Sequence, residues 1–524
     1  MLPIEVELSK QLVLGEILAR NARKFPDREA LVMEDRRLSY REFNERVNRL
    51  AHALTGIGVK KDDKVALLFL NCIEMMECIY ATVKLGAIVV PLNFRLTSPE
   101  LRYQIDYSDS KVLIFDSSFG QLIEPIRPDL PEVNFYISTG QSAFEGAINY
   151  EEFLKGQFTE EPLVMVVDDD PAAILFTSGT TGLPKGVVLT HKNLTLLVNS
   201  LFIEFHLPSG LRELVVFPIF HSAGLGLTYA SIYSGGTCVL LPLTKLTAEN
   251  ILRTIQDEKI YWGALAPTLW NAVVNEPKRS EFDLSSFRFA ACGSAPTPVE
   301  TKRRIIELFP NLPGISDFFS QTETSTLTIP SDPAIALVNP ATVGNRPILP
   351  IEARLVDDND NDVPVGQPGE VVFKGTTVFK EYYKDPEGTA QAFRGGWFHS
   401  GDILRQDEDG YYYVVDRKKD IIITGGENVS SVEVEDLIMS HPKVYEVAVI
   451  GVPHEKWGET VKAIVQLQPG QTMTEQELIE YCRQKIAHFK CPTSVDFVEQ
   501  IPRNVQGKVL KYKLREKYGK EVSK

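Results

Sequence analysis

The sequence predicts an α/β protein. A large N-terminal part of helix-covered sheets ends in a β subdomain, and a small α+β part follows it. Three observations predict this. Apolar runs of strand length alternate with amphipathic helices through the first three hundred or so residues. After about Asn339, short strands and acidic, glycine-containing turns take over, as in EARLVDDNDNDVPVGQPGEVVFKG. A charged stretch, DRKKD (416–420), then marks a second change of character.

Each element follows from local spacing. In LSYREFNERVNRLAHAL, Ser39 and Glu42 stand as a capping box, and Phe43, Val47, Leu50 and Leu54 recur at helical intervals. The apolar region 65–92 is interrupted by Glu74, Glu77 and Lys84, so it reads as strand, helix, strand rather than a membrane span. A helix over RLTSPELRYQIDYSDS leads to an apolar strand, 112–115. The pattern recurs in LRELVVFPIFH, TCVLLP, TAENILRTIQDEK, YWGALAP and VETKRRIIELF, and such units favour ligand sites at the carboxyl ends of strands. Beyond 420 come a helix (432–439), two strands (VYEVAVIGVP and KAIVQLQP), a helix capped by Thr474 and Glu477, and a basic tail. The expected domains are 1–416 and 417–524.

At 524 residues, with 44% hydrophobic and 24% charged side chains, the chain is long enough for more than one domain and has ordinary globular composition. A net charge of -15 argues against a nucleic acid or an anionic membrane as main partner. Six scattered cysteines without a CxxC pair fit reduced thiols and a cytoplasmic location, and make structural zinc improbable. The start, MLPIEVELSKQ, lacks the basic-then-apolar order of a signal peptide, and the terminal Val-Ser-Lys is not a peroxisomal signal. Composition leaves a homodimer open.

The segment LFTSGTTGLPKG (175–186) runs an apolar strand into glycine and hydroxyl residues. Such a loop can turn backbone N–H groups and hydroxyls onto an anion, phosphate above all. It is not a P-loop, because Leu183 and Pro184 separate Gly182 from Lys185. Composition alone also fits a plain surface loop.

The order of the residues is more specific. TSGTTGLPKGVVLTH (177–191) resembles the signature phosphate loop of the adenylate-forming superfamily, which comprises acyl-CoA synthetases, peptide-synthetase adenylation domains and firefly luciferase. Further motifs follow in the family's order: FPIFHSAG (217–224), CGSAPTP (292–298), DFFSQTET (317–324), WFHSGD (397–402), DRKKDIIITGGENVSSVEVE (416–435) and PRNVQGKVLKYKLR (502–515). The resemblance covers nearly the whole chain.

It implies a site residue by residue. Thr177, Ser178, Gly179, Thr180 and Thr181 would hold phosphate, and Lys185 would orient the pyrophosphate end. His221 would lie near the acyl group, and Gly293, Ser294, Ala295 and Pro296 would contact adenine. Asp317 and Phe318 would lie beside the adenine amino group, Phe319 would stack on the base, Thr322 would bind the α-phosphate and Glu323 would hold Mg²⁺. Phe319 and Ser320 stand where the family usually has tyrosine and glycine; stacking survives the first change, and the second alters the space beside the acyl pocket. Asp402 would accept from the ribose hydroxyls, and Arg417 would also contact ribose. Lys419 would be the pivot of a mobile C-terminal domain, and Gly425, Gly426 and Glu427 would line the pantetheine tunnel. Lys508, in PRNVQGK, would bridge the substrate carboxylate and the α-phosphate.

The implied activity is ATP-dependent ligation of a carboxylic acid to coenzyme A, through an acyl-adenylate. ATP, Mg²⁺ and coenzyme A are the implied cofactors and co-substrate. The pocket segment VVFPIFHSAGLGLTY (215–229) has no lysine or arginine for a second carboxylate, which favours a hydrophobic monocarboxylate. A medium- to long-chain fatty acid is the first expectation, and an aryl or alicyclic acid stands close behind. Rivals are an amino-acid adenylation module, for which Glu213 or Asp317 would have to anchor the amine, a luciferase-like oxygenase, a non-catalytic nucleotide-binding protein and a γ-phosphate kinase or ATPase.

Overall fold

The computed structural model describes residues 4–141, 143–177, 184–293, 297–417, 420–424, 427–503 and 509–519. Among them, two eight-stranded sheets, a four-stranded sheet and a five-stranded sheet organise the chain.

The first eight-stranded sheet is parallel where the sequence alternates strand and helix. Lys64–Leu68 lies between Ile88–Pro91 and Ser110–Asp116, and Phe135–Thr139 continues beyond. The helix Tyr40–Gly56 begins at the expected capping box, with the Ser39 amide donating to Glu42 Oε2 at 2.8 Å, and buries Phe43, Val47, Leu50 and Leu54. At one end the sheet departs from the parallel pattern. Pro171–Thr177 runs parallel to Ile88–Pro91, but Lys185–Thr190 returns antiparallel to it, and Glu381–Tyr382 adds a further antiparallel strand outside. The segment 178–183 thus links two antiparallel strands, with Thr177 opposite Lys185. A P-loop would instead enter a helix.

The second eight-stranded sheet carries the middle βα units. Ile315–Phe319, Phe289–Cys292, Trp262–Leu265, Arg212–Val215 and Thr237–Leu240 are neighbours in that order, all parallel. Its far edge is closed by Glu29–Met33 and Arg36–Ser39, which come from the N-terminus. Helices His191–Glu204 and Ser222–Tyr233 pack on each other, and their apolar side chains join one core cluster with residues from both large sheets.

The third sheet is the expected β subdomain, entirely antiparallel: Ile351–Val356, Pro368–Gly375, Phe398–Gln406 and Tyr412–Arg417. The last part of the chain builds its own core, in which Val444–His454 and Gly458–Leu467 pair antiparallel beneath helices Ser431–Met439 and Glu475–Arg483. Thr474 and Glu477 form the expected capping box. Among the described residues no helix is long and apolar enough to cross a membrane.

Candidate active site

The carboxyl ends of the strands of the second sheet meet the hairpin end of the first. Phe289–Cys292 and Ile315–Phe319 are adjacent and parallel, with Cys292 opposite Asp317, so Gly293 and the Phe318–Phe319 pair emerge on the same edge. No described heavy atom lies within 4 Å of where a side chain at Gly293 would begin, which leaves backbone open to a flat ligand. Ser294, Ala295 and Pro296 lie outside the described residues. Asp317 is buried and bound to the Lys302 ammonium, and it accepts from the Thr297 hydroxyl at 2.8 Å. Burial pushes its carboxyl above the usual range, opposed by Lys302 and Thr297. Phe318 packs on Phe205 with centroids 5.3 Å apart, and Phe319 is buried against Phe373 at 6.1 Å.

After Phe319 the chain makes a short helical turn, Thr322–Thr324, and leaves it through two non-glycine residues at positive φ, Ser325 (61°) and Thr326 (94°). That backbone is costly for a β-branched residue, about 1–3 kcal/mol. It is held by Ser325 N to Thr322 O (3.0 Å), Thr326 N to Gln321 O (3.0 Å) and Ser325 Oγ to Thr377 O (2.6 Å). The turn presents Thr322 and Glu323 together. Thr322 Oγ1 lies 3.4 Å from Ser222 Oγ, which joins it to the start of helix Ser222–Tyr233.

His221 is the N-cap of that helix: its Nδ1 accepts from the Ala223 amide at 3.3 Å, so a neutral ring carries its hydrogen on Nε2. Gly224 is required in this turn, because a Cβ there would stand 2.2 Å from the Pro218 carbonyl oxygen. The helix is buried nearly along its whole length, as a helix apolar on every face must be.

The Glu323 carboxylate accepts from the Tyr382 hydroxyl at 3.1 Å, and its backbone oxygen accepts from Phe379 N at 2.7 Å. Lys185 Nζ stands 4.6 Å from the centre of the Tyr382 ring and 2.9 Å from Asp385 Oδ2. On the other side, the Gln321 amide donates to the Asp402 carboxylate and to Ser400 O, 3.0 Å away. Asp402 is opposite Arg417 in the antiparallel pairing of Phe398–Gln406 with Tyr412–Arg417.

Thr177, Lys185, His221, Thr322, Glu323 and Asp402 thus belong to one neighbourhood, linked through Ser222, Gln321 and Tyr382. These three, with Asp385, were not singled out from the sequence. Ser222 and Gln321 adjoin motif residues, which is a usable signal; Tyr382 and Asp385 sit in EYYKDPEG, where nothing in the spacing points to Lys185 or Glu323. Glu427 is exposed at the start of strand Glu427–Val429 in the small sheet, opposite Thr424. Ser178, Gly179, Thr180, Thr181, Lys419, Gly425, Gly426 and Lys508 lie outside the described residues. The join between the last strand of the β subdomain and helix Ser431–Met439 is well tied: Asp416 Oδ2 accepts from Ser431 N (2.8 Å) and Oγ (2.7 Å), and Lys511 reaches Ser431 Oγ (2.5 Å) and Glu435 (2.9 Å).

Glu213 is fully buried, accepts from the Ser231 hydroxyl of the helix above it, and is pushed far above the usual carboxyl range by burial. A neutral acid there is a poor anchor for a substrate ammonium group.

Among the described residues no three histidine, cysteine, aspartate or glutamate side chains gather as a metal cage. The donor set suits Mg²⁺ all the same, since that ion is commonly held by one or two carboxylates together with substrate phosphates. Glu323, in the turn that also carries Thr322, supplies one such carboxylate.

Known proteins resemble this chain along nearly its whole length. The family model described as AMP-binding enzyme matches residues 18–383, and the AMP-binding enzyme C-terminal domain matches 433–508. The long-chain-fatty-acid–CoA ligase FadD13 of Mycobacterium tuberculosis is 36% identical over 518 residues, covering 98% of this chain and 99% of that protein. A feruloyl-CoA synthase of an Amycolatopsis species is also 36% identical, over 97% of this chain and 99% of its own. Among solved structures, the anthranilate CoA ligase AuaEII in complex with anthranoyl-AMP superposes with a TM-score of 0.90 at 31% identity, over 98% of this chain and 99% of that one.

Proposed function

Because the chain belongs to the AMP-binding enzyme family, in the acyl-CoA synthetase branch of the adenylate-forming superfamily, we propose that it activates a hydrophobic monocarboxylic acid, in the first place a medium- to long-chain fatty acid. The enzyme is an AMP-forming acid–thiol ligase. The observation that carries the choice of acid is the buried apolar helix Ser222–Tyr233. It begins at His221 and Ser222 beside Thr322, in a segment (215–229) without lysine or arginine. An acyl site lined by such a segment would accept an apolar tail and leave a second carboxylate unpaired.

In our reading a carboxylate oxygen attacks the α-phosphorus of ATP, and the bond to the β-phosphate bridge breaks to release pyrophosphate. Two anions must approach, so positive charge has to be in place beforehand. Lys508 bridges the carboxylate and the α-phosphate, Lys185 and the 177–182 loop hold the leaving end, and Thr322 positions the α-phosphate. Asp402 accepts from the ribose hydroxyls, with Arg417 nearby, and Phe319 and the Gly293 loop hold adenine. When bound through Glu323, Mg²⁺ neutralises charge on the phosphates.

The coenzyme A thiolate then attacks the acyl carbon and AMP leaves. Residues 417–524 turn about a hinge near Lys419, which withdraws Lys508 and brings in Gly425, Gly426 and Glu427. The six cysteines, none paired with another, support a cytoplasmic enzyme.

An aryl or alicyclic acid is the second reading. It is favoured by the aromatic cluster of Phe205, Phe289 and Phe318, with centroids 4.7 and 5.3 Å apart, and by relatives that act on ring-bearing acids. AMP release with coenzyme A over a panel of fatty, aryl and alicyclic acids tests both. Medium- to long-chain fatty acids should have the highest kcat/KM; a best substrate with a ring or a second carboxylate would overturn the first reading.

A further inference from the structure

Lys185 and Glu323 carry opposite charges and face the same aromatic side chain, yet each has a different partner. Lys185 binds Asp385 Oδ2 at 2.9 Å, and Glu323 accepts from the Tyr382 hydroxyl at 3.1 Å. The Tyr382 ring presents its face to the ammonium at 4.6 Å while its hydroxyl meets the carboxylate.

Tyr382 is itself rigidly held. Its strand adds to the edge of Lys185–Thr190 with Tyr382 opposite Val187, and Tyr383 N donates to Gly186 O at 2.7 Å. Its own N–H donates to Thr389 Oγ1 at 2.9 Å. Three residues earlier, Phe379 N pins the Glu323 backbone, and the Phe379 ring lies 4.7 Å from that of Tyr382. Three residues later, Asp385 caps helix Pro386–Ala392 through Gly388 N at 2.8 Å while it binds Lys185. One short strap thus touches both charged groups.

We propose that Tyr382 is a positioning residue that keeps Lys185 and Glu323 apart and aimed, so that the lysine serves the polyphosphate of ATP and the carboxylate serves its magnesium ion. Because Asp385 already holds Lys185, a direct Lys185–Glu323 ion pair would draw the lysine across and occupy the carboxylate oxygens that the magnesium ion needs. The phenol prevents this by offering a π face to the cation and a hydroxyl to the anion. The inference rests on the AMP-forming ligase reading, in which these two groups meet the phosphates.

The test is direct binding of a non-hydrolysable ATP analogue to the full-length protein, by calorimetry across a magnesium titration, with AMP binding measured in parallel. Tyr382→Phe keeps the ring and removes the hydroxyl. It is expected to raise the magnesium concentration for half-maximal analogue binding about ten- to a hundredfold, the range for one hydrogen bond to a charged group, and to leave AMP affinity unchanged. Tyr382→Ala, which removes the ring too, should weaken analogue binding further at saturating magnesium, again sparing AMP. An unchanged magnesium dependence in Tyr382→Phe, or equal loss of analogue and AMP binding in both variants, overturns the proposal. A wild-type protein that binds no ATP analogue overturns instead the ligase reading beneath it.

Discussion

The side-chain amide of Gln321 donates to the carboxylate of Asp402, tying the turn that carries Thr322 and Glu323 to the strand that faces Arg417. If Asp402 accepts from the ribose hydroxyls, Asp402→Asn should raise the KM for ATP about ten- to a hundredfold, the range for one hydrogen bond to a charged group. Gln321→Ala should act in the same direction but less, since it loosens the carboxylate without removing it. AMP release at varied ATP measures both, and an unaltered KM in Asp402→Asn would contradict the ribose role.

Lys508→Ala should abolish adenylation, read as acid-dependent pyrophosphate exchange, yet spare thioester formation from supplied acyl-adenylate, read as thiol consumption. In the proposed two-step reaction, the half-reactions would place opposite demands on the small domain. Equal loss of both would sink the division of labour between Lys508 and the 425–427 face.

The buried pair Lys302–Asp317 has side chains only 3% and 10% exposed, so neither charge can turn to water when the other is removed. Lys302→Met is expected to cost about 3–5 kcal/mol, the usual penalty for one partner of a buried pair. The double variant Lys302→Met with Asp317→Leu should recover part of it. Urea unfolding checks this; a loss below about 1 kcal/mol would mean that Asp317 takes up a proton at little cost.

His191 begins helix His191–Glu204 fully buried, with Nδ1 accepting from the Leu14 amide at 3.3 Å, and burial lowers its pKa from 6.5 to about 4. Between those values the unfolded chain binds the proton and the folded chain does not. Stability from this group is therefore fully present above about pH 6.5 and is lost as pH falls toward 4, by about 3 kcal/mol in all. His191→Asn, which can still accept from Leu14, should flatten the fall in melting temperature between pH 7.5 and 5. An identical slope in the two proteins would contradict the assignment.

Local pattern carried much of the fold because its signals act over a few residues. The capping box at Ser39 and Glu42, the strand, helix, strand reading of 65–92 and the antiparallel subdomain after Asn339 all rest on spacing that neighbouring residues impose. Ordered motifs likewise made the family legible, and with it the candidate roles of His221, Thr322, Glu323 and Asp402. Tertiary structure decided what depends on groups far apart in the chain. It carried the N-terminal strands to the edge of the second sheet and returned Lys185–Thr190 antiparallel to Pro171–Thr177. It also set Tyr382 between Lys185 and Glu323. Periodicity reports which face of an element is apolar, whereas strand partners, and the polar side chains that meet where strands end, are chosen by packing among segments hundreds of residues apart.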